Sequence, residues 1–241
     1  MAAFYIANPA CKHCCLKQIN AHYWIYEMET ASLAPSLKNI APQQEYLLQG
    51  SIFDNHRDVL LHRLRGLCDN AESNFEHFHD YEAVYMLRNS TTTQQNQFVL
   101  FRVRHALDHP DAPDHIRYLG QAEMGDRGRP TLVRACLDVA CSSNVRDFLQ
   151  EMGFRMDHDY VTKGYFFHKG RMKVTVYKVY RLVQPGKTDV QNLEALGQSH
   201  LVELSVVAPL GQEQIGEDMK NFAEQLKPLV VLEKFDHRRI Q

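Results

Sequence analysis

The chain has 241 residues, 23% of them charged and 44% hydrophobic, and a formal net charge of −2. That length allows one large domain or two small ones, and the balance describes a soluble globular protein rather than a disordered or strongly basic one. No stretch approaches the roughly eighteen consecutive apolar residues of a membrane span, and no block of about five Lys/Arg offers an import signal or a phosphate-tracking patch.

The opening "MAAFYIANPACKHCC" lacks a charged region followed by a long apolar stretch, so the expectation is an intracellular protein with no membrane and no direct nucleic-acid contact. Six cysteines, Cys14 and Cys15 adjacent, do not form the regular framework of a secreted disulfide domain and read as reduced thiols. Residues 1–44 have weak periodicity and three prolines, Pro9, Pro35 and Pro42, and are expected to be a poorly ordered extension. Within them, "NPACKHCCLKQINAH" carries Cys11 and Cys14 at the C-x-x-C spacing that lets two thiolates reach one tetrahedral zinc. It is half of a structural zinc motif with no second ligand pair nearby.

The folded part is expected over 45–241 as a single domain. It starts with a strand at "EYLLQGSIF", where Gly50 marks a bend. Asp54 is placed to cap a helix over "NHRDVLLHRLRGLCDN", with Leu60, Leu64 and Leu67 on one face. From there the dominant period is two. In "NQFVLFRVRHAL", Val99, Phe101 and Val103 are expected to point one way and Arg102 and Arg104 the other, the pattern of a half-buried strand. In "TLVRACLDVAC", Val133, Ala135, Leu137, Val139 and Cys141 are expected inward, Arg134 and Asp138 outward. Shorter strands are expected at about 80–88, 114–121 and 200–208.

The stretch "DYVTKGYFFHKGRMKVTVYKVYRLV" predicts a hairpin turning at Lys169-Gly170. "SSNVRDFLQEMGF" predicts a helix capped by Ser143 and stopped by Gly153, and "GEDMKNFAEQLKP" one with Met219, Phe222 and Leu226 on its apolar stripe. The sum is a mainly β (α+β) fold of about eight antiparallel strands without βαβ rhythm. We expect a closed barrel packed by its own side chains, with accessory helices on the outside or across its mouth.

Candidate chemistry is sparse. "HALDHPDAPDH" and "EHFHDYE" hold histidines and acids, but irregular spacing and two prolines in the first make solvated turns the better account. "PGKTD" at 185–189 lacks the Gly that a phosphate loop needs five residues before Gly186, where Arg181 stands. No nucleophile-base arrangement can be assembled. Cys136 falls beside Arg134 and Asp138 and reads as an unremarkable free thiol, exposed in principle. One face of the hairpin's second strand, bearing Tyr177, Val179 and Val183, is too apolar for water and is expected to lie under a helix of this chain or under a partner. The expected catalytic, cofactor-binding and metal residues are none.

The blocks "EYLLQGS", "LLHRLRGLCDN", "RYLGQAEMGD", "LVRACLDVA", "DFLQEMGFRMDHDYVTKGYFFHKG", "LVELSVVAPLGQ" and "DMKNFAEQLKPLVVLEK", in this order, closely resemble the subunit 18 family of the Mediator of RNA polymerase II transcription. The resemblance runs from about Glu45 to about Arg239. It implies an antiparallel β-barrel with accessory helices and a non-enzymatic scaffold role in the nuclear coactivator's head module. It also implies pairing with the barrel of Mediator subunit 20 and capture of a C-terminal helix of subunit 8. The rival is a metal-dependent, tunnel-type triphosphatase on a similar barrel, which needs closely alternating Glu residues on an inward strand face. Here Glu45 is followed by Tyr46, Leu47, Leu48 and Gln49, and "LVELSVVA" has only Glu203. Met28 could begin a chain of ordinary family length, so residues 1–27 are expected to be dispensable.

Overall fold

A computed structural model describes residues 43–69, 75–88, 98–122, 128–209, 211–212 and 214–235. The expected N-terminal extension, except for Gln43 and Gln44, and residues 89–97 between β2 and β3 lie outside the described residues. The strands are β1 (Gln43–Phe53), β2 (His77–Arg88), β3 (Phe98–Ala106), β4 (Asp114–Ala122), β5 (Leu132–Cys141), β6 (Arg155–Lys169), β7 (Met172–Leu182), β8 (Leu193–Ala195) and β9 (Ser199–Pro209). The helices among the described residues are α1 (Arg57–Leu67), α2 (Val145–Glu151) and α3 (Gln214–Glu224), with single 3-10 turns at Asp54–His56 and Val190–Asn192.

The strands pair antiparallel in the order β6-β2-β3-β4-β5-β1-β9-β7, and β6 pairs with β7 to close the ring. The expected eight-stranded barrel is therefore present. The short β8 lies beside the end of β7, at Tyr180–Leu182, past the Lys173–Tyr177 stretch that β9 covers. β6 and β7 are joined by a two-residue turn, Gly170-Arg171, because Lys169 pairs with Met172. Gly170 takes φ +56, a conformation open to glycine.

The strands alternate apolar and polar faces, but on β5 the faces are reversed from expectation. Most buried apolar residues lie outside the ring, in two layers beneath the helices, whereas Leu47, Val84 and Leu132 are buried on the same parity as the lumen residues. In one layer, Tyr46, Leu48, Val174, Val176, Val202 and Leu204 meet α1 and α3, which contribute Leu60, Leu64, Met219 and Phe222. In the other, Tyr81, Ala83, Phe101, Val103 and Val161 meet α2 through Val145 and Leu149, with Phe154 below. A strand alternating apolar and polar residues can turn either face inward; here the helices' apolar stripes need the apolar face of the sheet, so it must be the outer one. Burying Met219 and Phe222 of α3 stabilises by about 1.5–3 kcal/mol each.

The inward set is consequently polar: Arg102 and Arg104 on β3, Arg134 and Asp138 on β5. Two local expectations also change. Asp54 does not cap α1; its carboxylate accepts from Lys178, and its other oxygen lies 2.8 Å from His200 Nδ1. The residue before α2 is Asn144 rather than Ser143, and its side chain makes no capping bond. After α3 the chain returns along the barrel, where Gln49 and Glu233 exchange backbone hydrogen bonds of 2.9 Å each. Gly50 permits that approach, since a Cβ there would stand 2.3 Å from the Val231 carbonyl oxygen.

Candidate functional site: the charged lumen

The ring encloses a cavity of about 880 Å³ rather than a packed interior. A strand's lumen-facing residues are every second one, so the register aligns chemical types between neighbours. Glu45 of β1 stands opposite Arg134 of β5, and Arg117 of β4 opposite Asp138 of β5 and Arg102 of β3. Glu82 of β2 stands opposite both Arg104 of β3 and Tyr160 of β6.

These neighbours are joined. Arg134 donates to Glu45 Oε2 through Nε at 2.7 Å and approaches it through Nη2 at 2.6 Å. Arg117 donates twice to Asp138 Oδ2, at 2.9 and 2.7 Å, and its other nitrogen lies 3.8 Å from Glu45 Oε1. Arg104 donates to Glu82 Oε1 at 3.1 and 2.9 Å, and the Tyr160 hydroxyl donates to Glu82 Oε2 at 2.8 Å. Gln49 donates to Glu203 Oε1 at 2.6 Å. Guanidinium forks of this kind occupy the lone pairs that a metal would need.

The electrostatics follow from this pairing. Burial pushes the Glu82 carboxyl up, but Arg104 and the Tyr160 hydroxyl outweigh it and hold the group below its ordinary value. Asp138 is likewise held down against burial by Arg117. Asp80 is raised by burial, its nearest cation contact being Arg104 at 3.6 Å. Lys173 is lowered by burial and by the nearby Arg104 and Arg117 charges.

Of the residues singled out from sequence, Tyr177 and Val179 line the cavity, so the lumen surrounds that face of β7. Val183 lies just past β7 and is 61% exposed. Cys136 shares the lumen side with Arg134 and Asp138 instead of the outward face expected for all three; it is buried, and burial raises its thiol above the ordinary value, so it is not the accessible thiol expected. Cys68, Cys136 and Cys141 are free thiols, as expected. His105 Nδ1 pairs with Asp114 Oδ1 at 2.7 Å across the "HALDHPDAPDH" turn, and no group of three metal-ligating side chains occurs among the described residues. Sequence reasoning missed the ion-paired lumen altogether. The available signal was the recurrence of Arg, Glu and Asp on the same parity of β1 to β5.

The Med18 protein family matches residues 44–240. A Danio rerio protein named Mediator of RNA polymerase II transcription subunit 18 is 53% identical over 214 residues, 89% of this chain and 99% of that one. An Aedes aegypti protein of the same name is 56% identical, covering 83% of this chain and 88% of its own. The Schizosaccharomyces pombe Mediator head module contains a chain of the same fold, with a TM-score of 0.61 at 13% identity over 80% of this chain and 98% of that one. A putative adenylate cyclase from Vibrio parahaemolyticus shares the fold at a TM-score of 0.52 and 14% identity, covering 81% of this chain and 97% of its own. Fold alone therefore does not separate scaffold from enzyme. This chain belongs to the Mediator of RNA polymerase II transcription subunit 18 family.

Proposed function

We propose that the protein is a non-enzymatic scaffold subunit of the Mediator coactivator, acting in the head module and regulating transcription by RNA polymerase II through protein-protein contacts. The observation that carries this reading is the family match across residues 44–240, together with 53% identity to a relative spanned almost end to end. It works in the nucleus, pairs with the barrel of Mediator subunit 20 and receives a C-terminal helix of subunit 8. Helices packed on the outside of a closed ring suit such a role, because partners are captured by a few anchors on a rigid support. Purified protein is expected to recover subunits 20 and 8 in a pull-down; recovery of neither overturns the assignment.

The protein acts without catalysis. A triphosphatase lumen needs carboxylates free to hold a divalent cation. Glu45, Glu82 and Asp138 are instead tied to Arg134, Arg104 and Arg117. Glu203, expected from sequence as the one acid of its strand, is held by Gln49. No metal-dependent phosphate release from nucleoside triphosphate is expected; release that disappears in Glu203→Gln overturns this point.

A further inference from the structure

β5 passes from one helix-covered layer to the other. Val133 packs in the layer of α1 and α3 and Cys141 in the layer of α2, both on the outer face of the strand. Between them on that face stand Ala135, Leu137 and Val139, which neither layer takes in. Leu137 is 43% exposed, Ala135 is exposed and Val139 is half-buried. β6 makes the same passage, from Val161 in the α2 layer to Tyr165 and Phe167 in the other, and the outer residue between them is Lys163. One gap in the helix cover thus holds a charge suited to water, and the other holds three apolar side chains in a row.

The same stretch of β5 is an open edge. β1 pairs with residues 132–135 and no further, while β4 pairs along the opposite edge as far as Cys141. Among the described residues, the β1 side of 137–141 therefore carries no strand, and a strand edge of this kind is a template for further pairing. Were the β1–β5 register to run on, Pro42 would fall opposite Leu137, and proline has no N–H to give to a ladder. The face beside the edge is flat. Gly120 of β4 lies against Ala135, where a Cβ on the glycine would stand 3.0 Å from the Ala135 Cβ. Tyr118 continues the face toward the α2 layer, its ring centroid 6.0 Å from that of Phe101.

We propose that this window is the surface on which the subunit 20 barrel docks, an extended segment of that partner adding to the free edge of β5 at 137–141 and covering Ala135, Leu137 and Val139; this rests on the pairing proposed above and gives it a place in the fold. The occupant is a strand rather than a helix, because only an extended backbone has groups left to satisfy an edge, whereas a helix bonds its own. Its outward side chains are apolar at every second position, since those are the ones that stand beside Leu137 and Val139.

The test is binding of subunit 20 to the full chain, read by calorimetric titration and by hydrogen-deuterium exchange. The parent chain is expected to bind, and the free-edge amides of 137–141 are expected to exchange more slowly in the complex. Leu137→Asp is expected to weaken binding about tenfold or more, while Lys163→Glu, in the other gap, leaves it unchanged. Thermal melting establishes that each variant folds; should Leu137→Asp not fold, Ala135→Lys on the same exposed face carries the same expectation. A parent chain that does not bind subunit 20 overturns the pairing and this inference with it. Parent binding that the folded variant retains in full overturns this inference alone, as does binding without added protection of 137–141. Edge amides already protected in the free chain also overturn it, by making residues 1–42 the occupant. So does a dimer of the free chain that Leu137→Asp dissolves, by making a second copy the occupant.

Discussion

Glu45 and Arg134 face each other across the β1–β5 seam, joined at 2.6 and 2.7 Å. That seam pairs only Gln44–Leu47 of β1 with Leu132–Ala135 of β5, whereas β1 and β9 pair over the whole of β1. The ion pair thus sits where the ring has few backbone bonds. Glu45→Gln leaves the Arg134 charge largely buried without its counterion. Urea unfolding is expected to report a loss of about 3 kcal/mol. A variant as stable as the parent would mean that the seam closes without the pair.

Acid should weaken the ring for a related reason. Glu82 and Asp138 have folded-state values below their ordinary ones, so the stability they contribute is present above the ordinary carboxylate range. It is lost as pH falls through the depressed values. Asp80, raised by burial, acts in the opposite sense: its ionisation costs stability as pH rises through its folded value. With Asp54 and Asp69 also held down by Lys178 and Lys169, four lowered carboxyls against one raised predict net loss of thermal stability below about pH 4, measurable by circular-dichroism melts. Asp138→Asn should shrink the loss between neutral and acid pH while lowering stability at pH 7.

Gly50 should not tolerate a side chain. An added Cβ meets the Val231 carbonyl oxygen at 2.3 Å and the Val230 and Leu232 side chains at 3.1 Å. Backbone cannot yield as a flexible side chain can, so Gly50→Ala must displace the segment that bonds Gln49 to Glu233. A loss of about 1–3 kcal/mol is expected. Limited proteolysis should cut within 229–235 sooner than in the parent chain.

A chain beginning at Met28 should assemble with subunits 20 and 8 as well as the full chain does. It should also bind no less zinc, because Cys11, Cys14 and Cys15 offer half a site. Stoichiometric zinc in the full chain, measured by plasma emission and absent from the shorter one, is the result that contradicts this.

The strands were legible in sequence because burial on one side imposes period two. Hence β4 was expected at 114–121 and spans Asp114–Ala122, and β9 was expected at 200–208 and spans Ser199–Pro209. Which side is dry was not legible strand by strand. Val99-Phe101-Val103 against Arg102-Arg104 reads the same whether the apolar set turns to a barrel centre or to a helix outside. The apolar stripe of α3 was a clue to the second answer, since Met219, Phe222 and Leu226 must be covered by something. The β7 face with Tyr177 and Val179 pointed the other way: too apolar for bulk water, it lines the lumen, while the Val174 and Val176 face of the same strand lies under the helices. Long-range pairs such as Glu45 with Arg134 were beyond reach, because they follow from the ring's register and not from local spacing.

An inside-out barrel has consequences for how the chain reaches its native state. Hydrophobic collapse cannot be directed at the ring's centre, where Arg102, Arg104, Arg117 and Arg134 converge; it must occur on the two outer layers. β1 and β9 with α1 and α3 lie in one layer and β2 and β3 with α2 in the other, while β5 and β6 run through both, Val133 and Phe167 in the first and Cys141 and Val161 in the second. These two strands tie the layers together across the ring. The guanidinium-carboxylate contacts gain their geometry only when the ring closes, so the lumen fixes a register that the apolar layers alone do not specify.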